Sequence, residues 1–155
     1  MMEKIGLKMI YGKKSYIYKI NLNKSFVFMR VDEDNDENSK RYVVIVNSIK
    51  FYEKWAGKAV VHCEIENQYE QEKYNDAIEG FTRGIIDPVP LAEFGYYGII
   101  DFINGITRTK WLIRNGAICF PMECERDSAI KICQEIPHIL YIQKVDNVCD
   151  LLQLK

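Results

Sequence analysis

Two segments in the first half of the chain combine β-branched and aromatic residues with a partial alternation of apolar and polar positions. They are residues 15–22 and 25–31, and the two residues between them, Asn23 and Lys24, suit a tight turn. Together they predict a β-hairpin. Residues 41–46 predict a third strand, and residues 59–65 are a weaker candidate for another.

The middle of the chain carries the signals of helix ends. Asn47 or Ser48 is placed to cap a short helix that Gly57 ends. Asn67 opens a second helix, with Glu70 three positions later as in a capping box. Four apolar residues of this second helix share one face at helical spacing: Tyr74, Ala77, Ile78 and Phe81.

The next part of the chain shows the order strand, turn, helix, strand. Residues 97–103 predict a buried strand, residues 107–115 a helix of about two turns that ends at Gly116, and residues 117–122 a further strand. The proline-containing residues 83–93 before this unit are predicted to form an extended connection.

The last part of the chain predicts a helix that Asp127 caps and Pro137 ends. A short strand at residues 139–143 and a short helix at residues 147–152 are expected after it. A β-rich first half followed by alternating strands and helices predicts an α+β fold, with a mixed sheet and flanking helices. We expect residues 1–155 to form one domain.

The composition is that of an ordinary globular protein, with 48% hydrophobic and 28% charged residues. No apolar run approaches the roughly 18 residues of a membrane span, and the first residues lack the apolar stretch of a signal peptide. Five cysteines are too few for a disulfide scaffold, which favours reduced thiols that pack in the core. We therefore expect a cytoplasmic protein that does not associate with membranes.

The net charge of −1 conceals charged segments of opposite sign. Residues 1–31 carry seven Lys or Arg and one Glu, whereas residues 64–79 carry six acidic residues and one Lys. Residues 104–116 carry three basic residues and no acidic one. A locally basic site on a nearly neutral protein suits a phosphate-bearing ligand better than a long duplex, which needs many phosphate contacts.

The turn between the predicted strand and helix is the candidate functional site. A glycine turn that leads into a helix offers free backbone N–H groups to an anion, and Arg108 would add a fixed positive charge. The candidate nucleotide- or phosphate-binding residues are Asn104, Gly105, Ile106, Thr107, Arg108, Thr109 and Lys110. The structural alternative is a tight turn in which Gly105 supplies the backbone conformation and Thr107 caps the helix.

This unit resembles the core of the ParB/sulfiredoxin-like fold. In that fold a strand ends in a Gly, an Arg follows three residues later, and a helix ended by Gly leads to a strand near a Pro. Gly105, Arg108, Gly116 and Pro121 match this pattern. The resemblance implies that Arg108 and the turn amides hold a nucleoside triphosphate. Ile106 and Thr107 stand where a sulfiredoxin has Cys and His, which argues against sulfinate reduction.

The same region is similar to the plasmid fertility inhibition factors, which suppress conjugative or T-DNA transfer from a plasmid-bearing cell. The matching residues are Phe102, Asn104, Gly105, Thr107, Arg108, Trp111, Leu112, Asn115, Gly116, Ala117, Phe120, Pro121, Glu123 and Cys124. This resemblance implies ATP or another NTP as a ligand and a DNA-degrading activity on the transferred strand, with Mg²⁺ as the accompanying ion. The implied partners are a nucleotide or single-stranded DNA.

Acidic residues near the turn are the candidates for catalysis beside Arg108. Mg²⁺-assisted cleavage of a phosphate ester requires converging carboxylates, and Glu93 and Asp101 are the candidate catalytic carboxylates, with Glu123 as a further candidate. The alternative for Asp101 is a buried structural partner of Arg108. The histidines and cysteines show no metal-site spacing, so no metal ligand is predicted.

Two other functions remain open from the sequence. A non-catalytic inhibitor could dock on a protein of the conjugation machinery, for which the acidic segments 32–37 and 64–79 would serve. A regulator on the same scaffold could hydrolyse free nucleotide without DNA. Tyrosines and lysines of the N-terminal strands could stack single-stranded DNA, but strand tyrosines with their hydroxyl groups at the surface are the favoured interpretation.

Overall fold

Two mixed β-sheets and four α-helices form the fold in the computed structural model, which describes residues 2–32, 41–135 and 140–141. The strands are β1 (Met2–Ile10), β2 (Lys13–Asn21), β3 (Phe26–Asp32), β4 (Arg41–Asn47), β5 (Val89–Pro90), β6 (Glu93–Tyr96), β7 (Ile100–Asn104), β8 (Cys119–Glu125) and β9 (Leu140–Tyr141). The helices are α1 (Ser48–Ala56), α2 (Gln68–Thr82), α3 (Ile106–Arg114) and α4 (Arg126–Glu135). The α+β class predicted from the element order is confirmed.

The first sheet has the strand order β1-β2-β3-β5. β2 and β3 form the predicted antiparallel hairpin, and β5 joins β3 in parallel. β1 was not predicted, because a register shift between Lys4 and Gly6 interrupts its alternation. The hairpin tip contacts the end of α3, where the Asn23 backbone N–H donates to the Asn115 carbonyl over 3.1 Å. Gly116 follows with φ 87°, and a Cβ there would overlap the Asn23 side chain.

The second sheet has the order β7-β6-β8-β4-β9. β7 is an edge strand that begins at Ile100, and Asp101 and Ile103 on it are exposed. The predicted strand at residues 97–103 is therefore confirmed only from Ile100 onward, and its predicted burial is wrong. Tyr97 and Gly98 instead form the turn of a hairpin, in which the Tyr97 backbone N–H donates to the Ile99 carbonyl, and the unpredicted strand β6 precedes it.

The two predicted helix caps in the middle of the chain are confirmed. The Asn47 side chain accepts from the Lys50 backbone N–H, and Gly57 ends α1 in the left-handed conformation. The Asn67 side chain accepts from the Glu70 backbone N–H at the start of α2. By contrast, residues 59–65 contain a 3₁₀ turn, Val60–His62, and not the predicted strand.

At the end of the described region, Asp127 lies inside the first turn of α4 and does not precede it, so its predicted cap position is wrong. Predicted features at residues 33–39 and 147–152, and most of 139–143, lie outside the described residues. Among the described helices, none is long and apolar enough to cross a membrane.

One hydrophobic cluster contains side chains from both sheets. The Phe51 ring of α1 contacts the rings of Phe94, Phe102 and Phe120 edge-to-face, with centroids 5.6, 6.0 and 6.4 Å apart. Such aromatic contacts add to the area that the rings bury. Cys63, Cys119 and Cys124 are buried, as expected of packing residues.

The tyrosines of the N-terminal strands do not follow the prediction of surface hydroxyl groups. Tyr16 and Tyr18 are buried in the cluster that joins the two sheets. Only Tyr11, at the β1–β2 turn, is strongly exposed among the tyrosines of β1 to β3 and their turns. A stacking platform of several tyrosines on the first sheet is therefore excluded for these residues.

Candidate phosphate-binding site

Gly105 connects β7 to α3 through a conformation that other residues rarely adopt. Its φ is 91°, in the left-handed region. A Cβ built on it would lie 2.5 Å from the Ala92 Cβ and 2.8 Å from the Ala92 Cα. Both the backbone conformation and the close approach to the β5–β6 connection require glycine here.

The N-terminus of α3 has no side-chain cap. The prediction that Thr107 caps the helix is therefore wrong. The first backbone N–H groups of a helix have no intrahelical partner, and the helix dipole adds partial positive charge at that end. The start of α3 therefore presents donors and positive potential to the space around the turn.

Arg108 lies in the first turn of α3 and is half-buried. One of its terminal nitrogens, Nη2, donates to the Asn104 Oδ1 over 2.8 Å, whereas the buried Nε has no hydrogen-bond partner. Burial lowers the pKa of the guanidinium, and no described carboxylate offsets this effect. A half-buried cation without an acidic partner is unusual, because burying a charge is costly unless it is paired.

Two clefts lie on either side of the turn. The larger has a volume of about 600 Å³, and the turn residues Asn104, Gly105, Ile106 and Thr107 line it. The smaller, about 330 Å³, is lined by Gly105, Thr107 and Arg108. Lys110 lines the larger cleft as well. Thus six of the seven predicted phosphate-binding residues line the clefts at this turn, and a ligand can approach from both sides.

Thr109 and Lys110, the last two predicted phosphate-binding residues, are buried and form internal bonds. The Thr109 hydroxyl donates to the Gly105 carbonyl over 2.9 Å. The Lys110 ammonium donates to the Glu70 carboxylate and, over 3.0 Å, to the Glu64 carbonyl. These bonds attach α3 to the start of α2, which suits a structural role in holding the turn.

Of the predicted catalytic carboxylates, Glu93 and Glu123 are neighbours, whereas Asp101 lies further along the sheet. Asp101 is exposed and pairs with Gly95 across the β6–β7 ladder, so its predicted burial against Arg108 is wrong. Glu93 is half-buried, opposite Asn104 on β7 and beside Glu123 on β8. Among the described residues, no three His, Cys, Asp or Glu side chains are grouped as a metal site.

Eight residues of the larger cleft were not predicted as ligand-binding residues: Trp55, Glu66, Asn67, Tyr69, Glu70, Lys73, Phe102 and Ile103. Trp55 comes from α1, and Tyr69 and Lys73 come from the first turns of α2. Only the tertiary fold brings these elements to β7, so spacing along the chain carried no signal. An exposed aromatic residue in the first turn of a helix, such as Tyr69, is the one local feature that could have drawn attention.

The family model that describes the plasmid fertility inhibition factors matches residues 43–136, which is more than half of the chain. The chain belongs to the plasmid fertility inhibition factor family. The matched region contains the whole turn, both clefts and the helices that line them. The resemblance noted for residues 102–124 is thereby confirmed.

Two known proteins are similar to this family member. Protein osa of Shigella flexneri is 27% identical over 106 residues, covering 61% of this chain and 56% of that protein. The match thus spans little more than half of the relative's length. The crystal structure of an oncogenic suppression activity protein, described as a plasmid fertility inhibition factor, superposes with a TM-score of 0.60 and 22% identity. It covers 88% of this chain and 76% of that one. This likeness shows a common fold.

Several residues of the family motif have structural roles in this family member. The Trp111 ring stacks on Phe81 of α2, with centroids 4.4 Å apart, as expected of a core anchor. Leu112, Ala117, Phe120 and Cys124 are buried. Arg108 and Thr107 differ from these residues, because they line the clefts. Within the motif, packing residues therefore surround a small set of residues that can reach a ligand.

Proposed function

We propose that this protein suppresses the transfer of plasmid DNA or T-DNA by binding a phosphate group of a nucleotide or of single-stranded DNA at the Gly105 turn. The observation that carries the proposal is Arg108, a half-buried guanidinium with an unpartnered Nε and no hydrogen bond or ion pair to a described carboxylate. A phosphate would supply the missing negative charge.

The chemistry of the turn suits a phosphate better than a single carboxylate. A phosphate has several acceptor oxygens, and the turn offers two kinds of donor, the uncapped N–H groups of α3 and the guanidinium of Arg108. Thr107 adds a hydroxyl at the rim of both clefts. Asn104 holds the guanidinium through its Oδ1, which keeps the cation close to the helix start.

Hydrolysis of ATP or of DNA, assisted by Mg²⁺, is the further part of the proposal. Mg²⁺ is usually held by one or two carboxylates together with the phosphates of the substrate. Glu93 and Glu123, which are neighbours on β6 and β8, are the residues of this chain that would hold it. The ion would offset charge on the phosphate, and Arg108 would hold the phosphate in position.

The test is a titration of labelled single-stranded DNA and of an ATP analogue with Arg108→Ala. Loss of a charged hydrogen bond of roughly 1.5–3 kcal/mol predicts binding about 10- to 150-fold weaker, with an unchanged urea midpoint. Arg126→Ala, which removes an exposed arginine at the start of α4, is the control and should bind normally. Equal affinity of the Arg108 variant and the wild type would refute the site.

Activity is followed in the same preparations with Mg²⁺ and ATP, with and without single-stranded DNA. Turnover of both substrates supports a transfer-blocking nuclease and ATPase, whereas turnover of ATP alone indicates a nucleotide-hydrolysing regulator. A mating assay then relates the site to transfer. Arg108→Ala should restore conjugation if phosphate binding is the inhibitory step.

A second candidate is a non-catalytic inhibitor that docks on a protein of the conjugation machinery. The observation that favours it is β1, an edge strand on which Ile5, Leu7 and Met9 are between 45% and 63% exposed. Exposed apolar residues on a sheet edge are typical of interaction surfaces. Under this function, Leu7→Lys would restore conjugation and Arg108→Ala would not.

A further inference from the structure

The larger cleft beside the turn has the size and lining of a small-molecule site. Its volume of about 600 Å³ lies within the range of ligand pockets. The start of α2, the end of β7 and Trp55 of α1 form its walls. Apolar surface comes from Phe102, Ile103 and Ile106. The donors of the phosphate site open into the same space, so an occupant with an apolar ring and a phosphate would match it.

Three aromatic side chains line this cleft, Trp55, Tyr69 and Phe102. The Trp55 ring packs against Phe102, with centroids 4.6 Å apart, and its position is thereby held. Tyr69 is 68% exposed and lies at the rim, with the Lys73 ammonium 5.7 Å from the centre of its ring. Most of the Tyr69 side chain faces solvent, so packing within the chain does not explain an aromatic residue there.

The two clefts meet at the turn. Lys73, Gly105 and Thr107 line both of them, and the smaller cleft continues past Arg108 to Arg83. A ligand that occupies both clefts must therefore cross the turn. Aromatic side chains line one end of this path, and the cations Lys73 and Arg108 line the rest together with the carboxylates of Asp76 and Asp87. Single-stranded nucleic acid binds to this combination of stacking surfaces and backbone-tracking charge.

We propose that the cleft lined by Trp55 and Tyr69 receives a base of single-stranded nucleic acid whose neighbouring phosphate lies at the Gly105 turn. The inference rests on the proposed phosphate site and adds a base-binding contact to it. Tyr69 stacks on the base, Trp55 forms the inner wall, and Lys73 attracts the backbone where the strand crosses towards Arg108. Stacking reads no particular sequence, because every base has a π-face.

Three ligands separate the contributions of base and phosphate in binding to the whole chain. They are a labelled oligothymidylate, an abasic strand of the same length, and ATP as a competitor. The inference expects the oligothymidylate to bind at least several-fold more tightly than the abasic strand. Equal binding of the two strands would overturn the base contact and leave the phosphate site standing. Absence of binding by both strands would overturn the inference, and absence of ATP binding as well would overturn the phosphate site.

Substitution of Tyr69 tests the contact itself. Tyr69→Ala should weaken oligothymidylate binding roughly 5- to 100-fold, the range for loss of one base–aromatic stack, and should leave abasic-strand binding unchanged. Tyr69→Phe should bind normally, because it keeps the ring. Tyr97→Ala, at the far end of the β6–β7 hairpin and 67% exposed, is the matched control.

Unchanged oligothymidylate binding by Tyr69→Ala would overturn the inference, as would an equal loss with Tyr97→Ala. If ATP displaces the strand as effectively as unlabelled oligothymidylate does, a single nucleotide accounts for the binding, and the preference for a strand that crosses the turn is overturned. Because Tyr69 is largely exposed, its removal should not unfold the protein, and the urea midpoint verifies this for each variant.

Discussion

Replacement of Gly105 by alanine should destabilise the protein strongly for two separable reasons. A non-glycine residue in a left-handed conformation costs about 1–2 kcal/mol, and the φ of Gly105 is 91°. The new Cβ would also lie 2.5 Å from the Ala92 Cβ and 2.8 Å from the Ala92 Cα. Because one of these atoms is backbone, relief requires a movement of the β5–β6 connection, which costs a further ~1–3 kcal/mol. The total is about 2–5 kcal/mol.

Gly98 provides a matched control for this substitution. Its φ is also 91°, but nothing lies within 4 Å of a Cβ built on it. Gly98→Ala should therefore lower the free energy of unfolding only by the cost of the left-handed backbone conformation, about 1–2 kcal/mol. Urea unfolding measures both variants, and the midpoint of Gly105→Ala should be the lower by about 1 M. Equal losses in the two variants would show that the contact with Ala92 does not constrain the turn.

Two further predictions concern the surroundings of the turn. Lys110→Met should cost about 3–5 kcal/mol in urea unfolding, because it leaves the buried Glu70 carboxylate without its cation. Removal of the exposed Lys50, which is paired with Glu53, should cost less than about 1 kcal/mol. Similar costs for the two variants would contradict a structural role of the Lys110–Glu70 pair. Burial raises the pKa of Tyr52 from 10.0 to about 12, so its contribution to stability is complete below pH 10 and is lost as pH rises towards 12. Between about pH 9 and about pH 12, the urea midpoint of Tyr52→Phe should fall less than that of the wild type. An equal fall in the variant and the wild type would refute the raised pKa of Tyr52.

Local signals in the sequence predicted the helices well. The caps at Asn47 and Asn67 and the helix end at Gly116 are short-range features, in which a side chain or a glycine satisfies backbone groups nearby. The strand β1 escaped prediction because a bulge at Gly6 breaks its alternation. The edge position of β7 also escaped, because sheet order depends on long-range pairing.

The site was predicted only in part, because some of its residues are neighbours in the sequence and others are brought together by long-range packing. The glycine turn and Arg108 belong to one continuous segment, and the structure places them at one point. The internal role of Lys110 depends on Glu70, forty positions earlier, and could not be inferred from spacing. Trp55 and Tyr69 reach the cleft through the packing of α1 and α2, so the sequence contained no comparable signal for them.

The contact between Asn23 and Gly116 means that the folding unit is larger than the segment that defines the family. The family model begins at residue 43, yet the glycine of its motif fits against a hairpin tip that lies before this boundary. Among the described strands, β5, inside the matched segment, pairs with β3 alone, outside it. A protein trimmed to residues 43–136 would expose one side of the shared core and leave β5 without a partner. Expression boundaries for this protein, and for chimaeras with its relatives, therefore belong before β1.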